Sequence, residues 1–239
     1  MLQSRKTKQE RSELNPIQAI IYDLDGTLVD SEPLWYAAES ELIATRGDVY
    51  RDEVRAALVG LRLDGCIAII REAYSLTETV SELREELLQR MMNHVQQSLT
   101  TRDGAEAVLA AVHALPLATA IASSSPLSFI EGVIQNRGWD EDYFPRGRHC
   151  LFSADDVAEG KPAPDVYLAA ARSLQVDPHR CVAIEDSTTG ARAAVAAGMI
   201  CFAVWDPFHS SAADFAEITP HCFANLKDCI PEIRRLTQR

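Results

Sequence analysis

Ala19-Ile20-Ile21-Tyr22-Asp23-Leu24-Asp25-Gly26-Thr27 is the stretch on which the reading of this chain turns. Four apolar, β-prone residues stop abruptly at a polar turn containing glycine, the pattern of a buried strand that delivers carboxylates at its C-terminal end. The same grammar recurs at residues 117–122, before Ser123-Ser124-Ser125-Pro126, and at residues 181–184, before Glu185-Asp186-Ser187. A further apolar run, residues 199–204, follows Gly198. Helical patterns fill the intervals at 105–114, 127–137, 165–174 and 188–197, the last capped by Ser187 and stopped by Gly198. Strands alternating with helices predict an α/β fold with a Rossmann-like parallel-sheet core and helices on both faces. Ligands gather at the carboxyl ends of the strands in such sheets, and here each of those ends is polar.

Residues 31–102 differ. They carry helical periodicity and charge, as in 80–97, with little that resembles a strand. The spacing predicts a small α-helical domain inserted after the first strand, and its two crossings, near 29–31 and 101–104, are turn-prone enough to act as hinges. A packed helical layer without a hinge is the alternative. The domain plan is therefore a disordered tail over 1–15, a core formed by 16–30 and 103–239, and a helical insert over 31–102.

A chain of 239 residues with 47% hydrophobic content can bury a sizeable core. Its formal net charge of −12 repels polyanions, so nucleic acid is excluded as the expected partner. An anionic substrate would have to be neutralised locally, by a metal ion or a few placed cations. The six cysteines form no CxxC pair, and several sit in apolar runs where a small buried thiol is the usual explanation. The first fifteen residues lack the apolar core of a signal peptide, and no apolar run is long enough to span a bilayer. A cytoplasmic protein with no membrane association is expected; oligomeric state is left open.

Two carboxylates separated by one residue after a buried strand can divide their labour if the backbone turns between them: Asp23 attacks and Asp25 handles protons. Taken alone, the pattern is also that of an aspartate-rich turn. The Ser123 hydroxyl and the Ser124 amide could hold phosphoryl oxygens, though a serine-rich turn is often only a turn. Lys161 lies in Gly160-Lys161-Pro162-Ala163-Pro164-Asp165, where two prolines limit the freedom of a cation aimed at phosphate. Glu185 and Asp186 end a buried strand, where uncompensated carboxylates are costly and a metal is the economical partner; helix capping by Asp186 or Ser187 is the simpler alternative.

In that order along the chain, Asp23-Leu24-Asp25-Gly26-Thr27-Leu28-Val29-Asp30-Ser31-Glu32, Ser123, the Gly160 to Asp165 segment and Glu185-Asp186-Ser187 resemble the four motifs of haloacid dehalogenase-type hydrolases. The resemblance runs from about Ile17 over nearly the whole chain. Ser31 to Trp35, Gly60-Leu61-Arg62 and Ser123 to Leu127 are most similar to 2-deoxyglucose-6-phosphate and hexitol-phosphate phosphatases, with beta-phosphoglucomutases as near relatives, and the helical insert over 31–102 resembles the family's small α-helical cap domain. The resemblance implies Asp23 as nucleophile and metal ligand, Asp25 as acid/base giving its main-chain carbonyl to the metal, and Asp186 as a third protein ligand. Glu185 is then either a further ligand or its support. Ser123, Ser124 and Lys161 would hold the transferring phosphoryl group. Magnesium is the expected ion, because oxygen ligands suit a small hard cation.

The expected activity is hydrolysis of a small phosphorylated metabolite, a sugar or sugar-alcohol phosphate, through an aspartyl-phosphate. A phosphomutase is the alternative, and a non-catalytic protein that binds a phosphorylated ligand is the third reading. Mutases of this type carry a histidine twelve residues after the nucleophile, where this chain has Trp35. Trp35 and Arg62 are the candidates for leaving-group recognition; core or hinge packing for Trp35 and a surface salt bridge for Arg62 are the alternatives.

Overall fold

Six parallel strands carry every polar turn singled out above. In the computed structural model, residues 16–58, 61–145, 149–206 and 210–238 are described; the tail 1–15 and Gly60 lie outside the described residues. Strand β1 (Ala19–Tyr22) is followed by β2 (Val29–Asp30), then by helices α1 (Glu32–Ala44), α2 (Asp52–Ala56), α3 (Leu63–Ala73) and α4 (Val80–Ser98), and by β3 (Thr100–Thr101). The rest alternates: α5 (Ala105–His113), β4 (Ala118–Ser123), α6 (Leu127–Arg137), α7 (Trp139–Asp142), β5 (Leu151–Ser153), α8 (Asp165–Leu174) and β6 (Cys181–Glu185). After these come α9 (Thr188–Ala196), β7 (Ile200–Val204), α10 (Ala212–Phe215), β8 (His221–Phe223) and α11 (Cys229–Thr237).

The main sheet has the order β5-β4-β1-β6-β7-β8, and each pairing is parallel. All four residues of β1 are buried, as a central strand covered on both faces requires. From β1 the chain winds out through β4 to β5, then returns to β6 on the other side. The sheet thus reverses direction between β1 and β6, and a crevice opens there at the carboxyl ends of the strands. Register places Tyr22 opposite Ile121 of β4 and Ile184 of β6, so Asp23 comes level with Glu185. Helix α9 begins where the Ser187 hydroxyl accepts from the Gly190 N–H at 3.0 Å, which satisfies one of its free donors.

The four helices between β2 and β3 form a separate layer. Helix α4 opens on a capping box between Thr79 and Glu82 and buries Leu83, Leu87, Met91 and Val95, one apolar residue per turn, beside the buried Leu34, Ala38 and Leu42 of α1. The crossings, expected as turns, are instead a two-stranded antiparallel ribbon that pairs Val29 with Thr101 and Asp30 with Thr100. Two residues per strand carry no periodicity, which is why the sequence shows only turn-prone residues there. An Arg102–Asp206 ion pair at 2.9 Å ties this ribbon to the loop after β7. All six cysteines are free thiols, and no helix among the described residues is long and apolar enough to cross a membrane.

Candidate active site

Asp23 leaves β1 with its N–H donating to the Ile184 carbonyl at 3.0 Å, which anchors it to the floor of the crevice. Gly26, at φ +81°, then turns the chain back, and a Cβ at this position would lie 2.2 Å from Asp186 Oδ2. Both the left-handed backbone and the close approach of that carboxylate demand glycine. On the other wall, Gly190 leaves room for Glu185, whose Oε1 would stand 1.8 Å from a Cβ there.

The two aspartates of the turn face different surroundings. Asp23 is buried, and its Oδ1 accepts from Lys161 Nζ at 2.6 Å. Asp25 is half-buried and faces hydroxyls: its Oδ1 accepts from Ser31 at 2.6 Å, and its Oδ2 accepts from Ser123 at 3.1 Å and Ser125 at 2.8 Å. The Trp35 indole N–H also reaches Asp25 Oδ1, at 3.4 Å.

Lys161 holds two carboxylates at once, since its Nζ also donates to Glu185 Oε1 at 2.6 Å. That same oxygen accepts from the Tyr167 hydroxyl at 2.7 Å, while Glu185 Oε2 accepts from the Ser187 hydroxyl at 3.1 Å. Asp186 accepts from the Thr27 hydroxyl at 3.0 Å. Asp23, Glu185 and Asp186 each present an oxygen within 4.8 Å of the others. At that separation each like-charge pair costs about 3–4 kcal/mol if the effective dielectric is about 20. One ammonium does not balance three carboxylates.

The electrostatics record the imbalance. Burial raises the Asp23 carboxyl to about 7; Lys161 opposes the rise, and Glu185 and Asp25 add to it. Asp186 is driven well above the ordinary carboxylate range by desolvation and then by its neighbours Asp23 and Glu185. Burial disfavours the Lys161 ammonium, yet Asp23 and Glu185 outweigh it and hold that pKa above the usual lysine value. An oxygen-only donor set with surplus negative charge fits a hard divalent cation, and the three clustered carboxylates could hold one.

The sequence-predicted residues Asp23, Asp25, Ser123, Lys161, Glu185 and Asp186 thus come together at one crevice, with Ser124 half-buried in the turn after β4. Trp35 joins them from α1, its ring 5.3 Å from that of Phe129. Arg62 stands apart from the carboxylates; its Nη2 donates to the Val157 carbonyl at 3.3 Å and its guanidinium packs on Gly160, beside Lys161. Ser31, Ser125, Thr27 and Tyr167 also bond the acidic groups, yet sequence reasoning gave them no role. Ser31 and Ser125 fall inside the quoted motifs and could have been found there; Tyr167 has no local signal.

Residues 17–198 match the sequence profile of haloacid dehalogenase-like hydrolases. Hexitol phosphatase B of Escherichia coli (strain K12) is 34% identical over 186 residues, which cover 77% of this chain and 81% of that protein. The phosphorylated carbohydrates phosphatase of Thermotoga maritima is 28% identical over 184 residues, 77% and 82% of the two chains. Among solved structures, CbbY from Rhodobacter sphaeroides in complex with phosphate superposes with a TM-score of 0.78 at 27% identity, covering 89% of this chain and 96% of that one. The chain belongs to the haloacid dehalogenase-like hydrolase family. Within it, the chain falls among the phosphatases, enzymes that hydrolyse phosphoric monoesters.

Proposed function

We propose that this protein is a magnesium-dependent phosphatase acting on a sugar or sugar-alcohol phosphate, with Asp23 as nucleophile and Asp25 as acid and base. The observation that carries the reading is the divergence of the two aspartates after β1: one pairs with Lys161, the other with three hydroxyls and an indole. Asp23 attacks phosphorus while Lys161 offsets charge on the phosphoryl oxygens and keeps the carboxylate oriented. Asp25, supported by Ser31, Ser123 and Ser125, gives a proton to the departing oxygen and afterwards takes one from the water that cleaves the aspartyl-phosphate. Asp23, Asp186 and the Asp25 main-chain carbonyl would hold the cation, which when bound neutralises developing charge on the phosphoryl group. Glu185 has both oxygens engaged by Lys161, Tyr167 and Ser187, which favours an anchoring role over direct ligation.

The helical layer, residues 31–102, acts as a cap that closes over the phosphate from the β2–β3 ribbon and selects the leaving group through Trp35 and Arg62. The relatives named as hexitol and carbohydrate phosphatases support that substrate class. Water is the acceptor in place of a second sugar, because the Trp35 indole can only donate and offers no proton shuttle. The reading places the enzyme in the cytoplasm. Release of phosphate from a panel of sugar and polyol phosphates, with magnesium and then with chelator, tests it: metal-dependent turnover of at least one is expected, and none on any ester would overturn it.

A further inference from the structure

Arg84 of α4 extends from the helical layer to the core, and its guanidinium pairs with Asp64 at the start of α3 and with Asp155 in the turn after β5. With the Arg62 bond to Val157, it fixes this side of the layer onto the segment that leads from β5 to Lys161. Asp155 does not end there. Its N–H donates to the Ser153 hydroxyl at 3.0 Å, and that hydroxyl, wholly buried, donates to the Ser125 carbonyl at 2.7 Å. Ser125 in turn donates its own hydroxyl to Asp25 Oδ2 at 2.8 Å. Each joint is a hydrogen bond of ordinary length, so a displacement of the Asp155 turn moves the support of Asp25.

We infer that Arg84 is a positioning residue that links closure of the helical layer to the orientation of Asp25 as general acid. The inference rests on the proposed acid/base role of Asp25. When the layer is shut, the Arg84–Asp155 pair holds the 153–155 turn, Ser153 fixes the Ser125 backbone, and the Ser125 hydroxyl aims the carboxyl at the departing oxygen. When the layer opens, the pair breaks and the acid loses one of its supports. Both partners are about a quarter exposed, so the pair itself contributes little to stability; its effect lies in geometry. The device would keep Asp25 from being fully aligned until a substrate is enclosed.

The test uses two aryl esters of nearly the same shape, phenyl phosphate and nitrophenyl phosphate, in magnesium with the full-length protein. Phenolate needs a proton to leave and nitrophenolate barely does, so in the step that releases the aryl group misalignment of the acid is felt on the first ester alone; hydrolysis of the aspartyl-phosphate is common to both. Arg84→Ala should lower kcat/KM, which reports the steps up to aryl release, on phenyl phosphate about tenfold and on nitrophenyl phosphate by less than about twofold. Asp155→Asn should do the same, and the double variant should lose no more than either single one. Equal losses on the two esters, no loss on either, or additive losses in the double variant would overturn the link. A wild-type protein that hydrolyses neither these esters nor any ester of the sugar and polyol panel would overturn the phosphatase reading and the link together, an outcome distinct from failure of the link alone.

Discussion

At the carboxyl edge of the sheet, charged groups are buried and held by short bonds: Lys161 lies 2.6 Å from both Asp23 and Glu185, with its side chain only 4% exposed. In the helical layer the two side chains proposed to meet the leaving group make longer bonds, Trp35 at 3.4 Å to Asp25 and Arg62 at 3.3 Å to a backbone carbonyl. Short bonds among buried charges cannot be exchanged without leaving a charge unpaired, which costs several kcal/mol. Long bonds at a half-exposed rim are readily traded for bonds to a ligand. The core is therefore suited to chemistry that must not vary, and the layer above it to contacts that differ from substrate to substrate.

The largest effect should come from the core. Asp23→Asn should cut kcat on any phosphate ester by at least about a thousandfold while the protein stays folded, because an amide is neither nucleophile nor good metal ligand. Near-normal kcat, measured with a folded variant, would erase the distinction between the two regions. Asp25→Asn comes next, with a loss on the order of a hundredfold on a sugar phosphate; an unchanged rate would take Asp25 out of proton transfer.

The buried carboxylates also predict how the ion and pH act together. Asp23 rises to about 7 in the folded chain, whereas the unfolded chain keeps the ordinary value of about 4. Between those values the metal-free native state binds the extra proton, so its stability falls as pH rises through the window and levels off above it. A cation that displaces this proton stabilises more at high pH. The gain in Tm on adding magnesium should be larger at pH 8 than at pH 5 by roughly 5 °C or more, read by thermal unfolding. A gain independent of pH would separate the metal from Asp23.

The smallest effects should lie in the helical layer. Trp35→Ala and Arg62→Ala should lower kcat/KM for the best sugar phosphate by about tenfold, and for nitrophenyl phosphate by no more than about twofold. Equal losses on both would show that the layer does not select the leaving group.

The same contrast explains what was legible in the sequence. Strands β1, β4 and β6 announce themselves by apolar runs ending in polar turns, β7 by an apolar run after a glycine, and α9 by its serine cap and closing glycine, because those signals are local. Strands β2, β3, β5 and β8 have two or three residues each, too few for any period. The clustering of Asp23, Glu185 and Asp186 followed from motif order, since a parallel sheet gathers the ends of its strands. The groups that support them did not follow. Tyr167 on Glu185 and Ser153 beneath Ser125 are set by which helix and strand pack side by side, information that no spacing along the chain contains.

The claim on which the rest depends is that Asp23 takes the phosphoryl group, and Asp25→Asn offers the most direct view of it. With nitrophenyl phosphate the first step needs little acid, whereas hydrolysis of the aspartyl-phosphate still needs the base. Rapid mixing with magnesium should release a burst of one nitrophenolate per active site before a slow steady rate, and protein quenched in acid should carry the phosphoryl group on the peptide containing Asp23. A linear release from the first turnover, with no phosphoryl group on that peptide, would contradict the account.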